Sequence, residues 1–159
     1  MRVATIGVYG FNAETFLAAL RDADAGLLVD VRQRRGVRGS EYAWANAKRL
    51  QAMLDEAGID YRHEPGLAPT TEMRQLQYAE DDRRGVGKRN RQELAPEYTR
   101  RYTAEILEPF DLAAFAASLP GDTTSALMCV ERDAPACHRS LITARLASEH
   151  GATVEDLIP

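Results

Sequence analysis

Both cysteines of the chain fall in one short stretch, Cys129-Val130-Glu131-Arg132-Asp133-Ala134-Pro135-Ala136-Cys137-His138-Arg139-Ser140. The residue types suit thiol chemistry on an anion. A cysteine at a helix start beside a histidine and an arginine has its pKa lowered, and Cys137 is read as a nucleophile on that ground, with an inert loop thiol as the alternative. His138 or Glu131 would be its proton-transfer partner. Arg139 can grip a phosphate or carboxylate with two parallel hydrogen bonds, and Ser140 can cap the helix or donate to the same anion. Cys129 lies in an apolar run and reads as a small core residue. In a strand Glu131 would share its face, and a carboxylate there needs a partner, for which Arg32, Arg132 and Arg139 are the candidates. As a ligand set, Cys129, Cys137 and His138, with Glu131 as a fourth, match none of the paired zinc spacings. No metal site and no cofactor is therefore expected.

The elements that would position these groups alternate. Arg2–Tyr9 has the β-formers Val3, Ile6 and Val8. Asn12 is a helix N-cap ahead of Ala13, Phe16, Leu17 and Leu20 at helical spacing. The continuous apolar run Leu27-Leu28-Val29 indicates a strand buried on both faces, and Asp30 and Arg32 break it near its carboxyl end, where open α/β sheets bind ligands. Helices are expected over 42–57, closed by Gly58, over 71–84, and over 96–107 with Pro96 in the first turn. A short helix, 112–119, follows Asp111. Strands are expected at 59–63, 125–131 and 153–158, and a helix at 140–149. Strand alternating with helix gives a three-layer, Rossmann-like α/β domain spanning 1–159. Its mostly parallel sheet has about five strands, with helices on both faces and a helical insertion over 65–119. On this arrangement Asp30 and Arg32 converge with Arg139 and Ser140 as ligand-binding residues beside the catalytic candidates Cys137, His138 and Glu131.

Composition narrows the function classes. Hydrophobic residues at 45% and charged residues at 28% are ordinary for a globular chain. The longest apolar runs are a few residues, too short to span a bilayer, so no membrane association is expected. Two cysteines make no disulfide framework, which places the protein in the cytoplasm with reduced thiols. The net charge of −4 is uneven. Arg32, Arg34, Arg35 and Arg38 form one basic loop and Arg83, Arg84, Lys88, Arg89 and Arg91 another. An acidic body with two basic loops suits recognition of a local anion better than coating of nucleic acid. Nucleic acid remains a partner for the loops themselves, through Arg32, Arg34, Arg35, Arg38, Lys88, Arg89 and Arg91. Trp44, Tyr42, Tyr98 and Tyr102 lie near them in sequence and could stack a base or fill the core.

Three blocks resemble a known family. Thr5-Ile6-Gly7, the strand end Asp30-Val31-Arg32, and Cys129-Val130-Glu131 with Cys137-His138-Arg139-Ser140 are similar, in order and spacing, to the domain of unknown function 488. The resemblance implies the fold class and the site and names no reaction. A weaker likeness to rhodanese-type sulfurtransferases rests on the Asp-Val-Arg strand end and a late cysteine loop. In those enzymes the reactive cysteine directly follows its strand; here the loop is longer. The reading is an anion site at the strand carboxyl ends, for a phosphate-bearing small molecule such as a nucleotide or modified base, open to thiol-dependent catalysis. The alternatives are a rhodanese-like sulfurtransferase and a non-enzymatic adaptor using the basic loops.

Overall fold

The structure, a computed structural model, describes residues 1–159. Five strands form one sheet: β1 (Arg2–Ile6), β2 (Ala25–Asp30), β3 (Asp60–His63), β4 (Thr124–Met128) and β5 (Thr153–Leu157), in the order β3-β2-β4-β1-β5. Every pairing is parallel. The helices are α1 (Ala13–Asp22), α2 (Ala47–Glu56), α3 (Thr71–Arg84), α4 (Pro96–Tyr102), α5 (Leu112–Ser118) and α6 (Arg139–His150). None is long and apolar enough to cross a membrane.

Side-chain alternation along the strands sorts the core into two layers. Ala4, Ile6, Leu28, Ala126 and Met128 pack with Phe16 and Leu20 of α1 and Leu50 and Leu54 of α2. Val3, Leu27, Val29, Leu127 and, beyond the strand, Cys129 pack on the other face. Their neighbours there are Met73 of α3, Tyr98 and Tyr102 of α4, Phe115 of α5 and Ile142 and Leu146 of α6. The expected insertion thus covers the same face as α6. Chains leaving β2 and β4, which are neighbours, turn to opposite faces, into α2 and α6. That divergence opens a crevice beyond their carboxyl ends.

Local chemistry explains most boundaries. Asn12 caps α1 in a reciprocal box, its Oδ1 accepting from Thr15 N at 2.8 Å while Thr15 Oγ1 accepts from Asn12 N at 3.1 Å. Asp111 caps α5 through Ala114 N at 3.0 Å. Several boundaries differ from expectation, and β1 ends at Ile6 where a strand to Tyr9 is expected. The helix expected over 42–57 is split: Ser40–Ala45 is a 3₁₀ turn, Asn46 is extended, and α2 begins after it. Asn46 Oδ1 is taken up by Val37 N at 2.8 Å, which folds the first basic loop back. The strand expected over 125–131 ends at Met128. Past it the chain bends toward β1, where Val130 O accepts from both Val8 N and Tyr9 N at 3.0 Å. α4 runs on into a wide π turn, Thr103–Leu107.

Candidate active site

The end of β2 is tied off by a closed ion pair. Asp30 Oδ1 accepts from Arg32 Nε at 2.9 Å and Oδ2 from Nη2 at 2.7 Å. Oδ1 also takes Arg32 N at 3.1 Å, and Tyr61 OH donates to Oδ2 at 2.7 Å. The remaining nitrogen, Nη1, donates to Ala45 O at 2.9 Å. The side chains of Arg32 and Asp30 are 1% and 0% exposed. Buried charges persist only when paired and fully hydrogen-bonded, which this pair is. Two imidazoles hold the adjacent backbone: His63 Nε2 lies 3.0 Å from Arg32 O, and His138 Nε2 lies 3.0 Å from Val31 O. Both acceptors are carbonyls, so each Nε2 carries the proton.

The exit of β4 comes close to β1. A Cβ on Gly7 would stand 1.9 Å from Glu131 O, so the glycine is what allows the approach. Arg139 clamps the same loop from below, Nη1 donating to Glu131 O at 2.7 Å and Nη2 to Arg132 O at 3.0 Å. These contacts fix Cys129 and Glu131 against the start of α6. Cys137 Sγ is 3.6 Å and Cys129 Sγ 3.9 Å from His138 Nδ1, and Cys129 Sγ lies 3.4 Å from Glu131 Oε2. The Tyr102 ring packs on the His138 ring at 5.2 Å and spends its hydroxyl on Leu67 O at 2.6 Å.

This geometry separates the two thiols. Burial pushes Cys137 up, but a hydrogen bond from Cys129, with His138 and Arg139 nearby, outweighs it and holds Cys137 well below the usual thiol range. Cys129, donating to Cys137 and buried next to Glu131, is held well above it. For His138 burial acts downward, and the Cys137 thiolate more than reverses it, so the imidazole is raised. A thiolate–imidazolium pair at a helix start is an activated arrangement.

Glu131 is held by Arg91, whose Nη2 donates to Oε1 at 3.1 Å. The rest of that guanidinium is used internally: Nη1 on Asp81 Oδ2 at 2.6 Å, Nε on Ala136 O at 3.1 Å. Gln77 completes the knot, donating to Asp81 Oδ1 at 2.9 Å and accepting from Ala95 N at 2.9 Å.

Cys129, Cys137, His138 and Glu131 form the floor of a narrow cavity of about 50 Å³. Arg34, Arg74, Lys88 and Tyr78 stand at its sides. Unlike Arg32 and Arg91, the cations Arg34, Arg74 and Lys88 form no ion pair. Arg74 and Lys88 flank the Tyr78 ring at 5.7 and 5.5 Å. Burial acts to lower the Lys88 amine, and Glu131 and the tyrosines reverse the shift upward, so it is a cation. The cavity opens into a shallow groove of about 780 Å³ that Arg38, Arg89 and Tyr9 also line.

The structure thus brings Cys137, His138 and Glu131 together at one cavity. Of the four residues expected to bind ligand, only Arg32 borders the cavity, and its donors are committed to Asp30 and Ala45. Asp30 lies beneath it. Arg139 is fully buried on the Glu131 and Arg132 carbonyls, and Ser140 donates to Cys137 O at 2.8 Å. The partner of Glu131 is Arg91, not Arg32, Arg132 or Arg139. Cys129, read as core packing, is at the floor. Sequence reasoning passed over Arg74, Tyr78 and Asp81, all on α3; the available signal was Gln77 and Asp81, polar residues one turn apart on its inward side.

A family model described as domain of unknown function DUF488 matches residues 12–146. No curated protein and no solved structure matches the chain.

Proposed function

The chain belongs to the DUF488 family, whose description names no reaction, and from the geometry of the site we propose that it binds an anionic, phosphate-bearing small molecule, a nucleotide or modified base, with catalysis that depends on Cys137. The observation that carries this is the ring of Arg34, Arg74 and Lys88, three cations without carboxylate partners, over a floor of thiols, imidazole and carboxylate. Unpaired cations at a concave, partly dry site attract an anion. The cavity admits only the reacting end of a ligand. The groove, with Tyr9 and Tyr78, has room for a ring system, which an aromatic face would stack. Cys137, His138 and Glu131 are the groups such a ligand meets first. Asp30, Arg32, Arg139 and Ser140 serve it by holding the strand and helix ends in place.

The test is a thermal-shift screen of inorganic phosphate and a nucleotide set, followed by titration of the best ligand into Arg74→Ala and Lys88→Ala. A ligand that binds only the folded state raises the melting temperature. Each substitution removes a charge-assisted contact of about 1.5–3 kcal/mol and should weaken binding roughly tenfold or more. Unchanged affinity in both variants refutes the assignment.

One observation favours a second reading. Arg34, Arg38, Lys88 and Arg89, from two loops far apart in sequence, line the same groove, so a nucleic-acid strand is a candidate for this surface. Binding of a single-stranded oligonucleotide would then weaken with salt at a log–log slope of about −0.7 per phosphate contacted. A rhodanese-like sulfur transfer has less support, because Cys137 faces Cys129 and His138 rather than heading its own anion-cradling loop.

A further inference from the structure

We infer that Cys129, Cys137 and His138 form a binding site for one zinc-class divalent ion, with its fourth coordination position open to the cavity. The three donor atoms lie within 4.8 Å of one another. Zinc bound tetrahedrally, with Zn–S of about 2.3 Å and Zn–N of about 2.0 Å, needs an S···N separation of about 3.5 Å. The two separations here are 3.6 and 3.9 Å. Both S···N separations therefore lie within a few tenths of an ångström of what a shared ion needs.

The donor set is held as metal ligands are held. Ligating histidines donate their far ring nitrogen to a carbonyl or carboxylate, which fixes tautomer and ring plane. His138 does this through Nε2 to Val31 O at 3.0 Å, leaving Nδ1 toward the sulfurs, where the ion would take the place of its proton. Tyr102 packs on the ring. Cys129 is placed by the β4 exit against Gly7, and Cys137 by the turn whose carbonyl receives Ser140. None of the three donors rides on a long mobile side chain. Two thiolates and an imidazole also match zinc chemically: the ion would displace the Cys129 proton to solvent and offset the charge of both sulfurs.

Three protein ligands with an open fourth position is the pattern of reactive zinc sites, whereas structural sites are closed by four. Glu131 stands beside that position, Oε1 held by Arg91 and Oε2 facing Cys129. The cations Arg34, Arg74 and Lys88 lie outward from it. An oxygen of the anionic ligand, or water, would complete the coordination. The inference deepens the anion-binding reading and rests on it only for what fills the fourth position. It gives the Cys137 thiolate the role of a metal ligand.

The test uses the whole chain, reduced and stripped with a chelator, then titrated with Co²⁺ and with Zn²⁺. Expected are one ion per chain, the ultraviolet thiolate-to-cobalt band, and the intense visible bands of a tetrahedral ion. Zn²⁺ should displace the cobalt and protect both thiols from iodoacetamide. Cys129→Ser should reduce the charge-transfer band by about half, and His138→Gln should weaken binding by at least ~10-fold. If a variant fails to fold, the band and the protection of the unsubstituted protein decide alone. Absence of the band, or zinc that leaves both thiols as reactive as before, overturns the inference. A phosphate titration of stripped and loaded protein separates the two readings. A cobalt band without a phosphate shift keeps the metal site and removes the anion reading. A phosphate shift without the band does the reverse.

Discussion

Replacing Asp30 with alanine tests whether the strand-end charges are structural or bind ligand. Asp30 accepts four hydrogen bonds, three from Arg32 and one from Tyr61 OH. Its removal strands a guanidinium whose side chain is 1% exposed. Breaking a buried pair by deleting one partner costs about 3–5 kcal/mol. For a chain of this size each kcal/mol lowers the melting temperature by about 2–4 °C, so a fall of roughly 6–20 °C is expected. Urea unfolding should show a lower midpoint with an unchanged m value. The double variant Asp30→Ala/Arg32→Met removes both charges and should recover most of the loss, since the stranded charge is the main cost. The reasoning is refuted if Asp30→Ala unfolds within about 1 kcal/mol of the parent. Loss of phosphate binding at unchanged stability would return Asp30 to the ligand.

Gly7→Ala should destabilise by about 3 kcal/mol or more, because the new methyl meets a backbone carbonyl rather than a side-chain end; equilibrium denaturation measures it, and near-neutral behaviour would mean that β1 and the 129–131 turn do not approach. Arg91→Met leaves Asp81 and Glu131 as buried carboxylates without a cation, at a cost of about 3–5 kcal/mol. Urea denaturation measures that loss, and a change of less than about 1 kcal/mol would contradict the pairing. Glu80 is held down to about 2, chiefly by Arg83, with Arg84 assisting. A carboxyl depressed in the folded state stabilises it above the ordinary carboxyl range, and that contribution disappears as pH falls toward 2. A carbon-13 titration of Glu80 with a midpoint near 4.5 would contradict the pairing.

The alternation of strand and helix was readable because each buried strand and amphipathic helix announces its period, and caps such as Asn12 and Asp111 marked the ends. The cavity residues were harder. Cys129 lies in an apolar run and does pack in the core, and nothing in its own neighbourhood says that its sulfur also meets a histidine nine residues on. Zinc-ligand spacing is a rule about local loops, and here the donors converge through a strand exit and a helix start instead. Arg139 and Arg32 read as anion grips because an arginine's sequence context does not reveal whether carbonyls or a carboxylate already occupy its donors. Arg74 and Tyr78 were invisible for the opposite reason: they lie mid-helix in the insertion, and only the fold of α3 over the β4 exit turns them toward the site.

The strand order has a consequence for how the molecule is made. β4 is the fourth strand in the chain but lies between β1 and β2. Until residue 128 has emerged from the ribosome, neither early strand has its inner neighbour, and both show hydrophobic edges that invite the wrong partner. At about 5–20 residues per second that interval lasts some seconds. Insertion of β4 closes the sheet in one non-local step, the kind that makes folding slow. The turn that follows carries both cysteines. The thiols thus reach their places only after the sheet has closed, and a chain stalled before that point carries neither the site nor its chemistry.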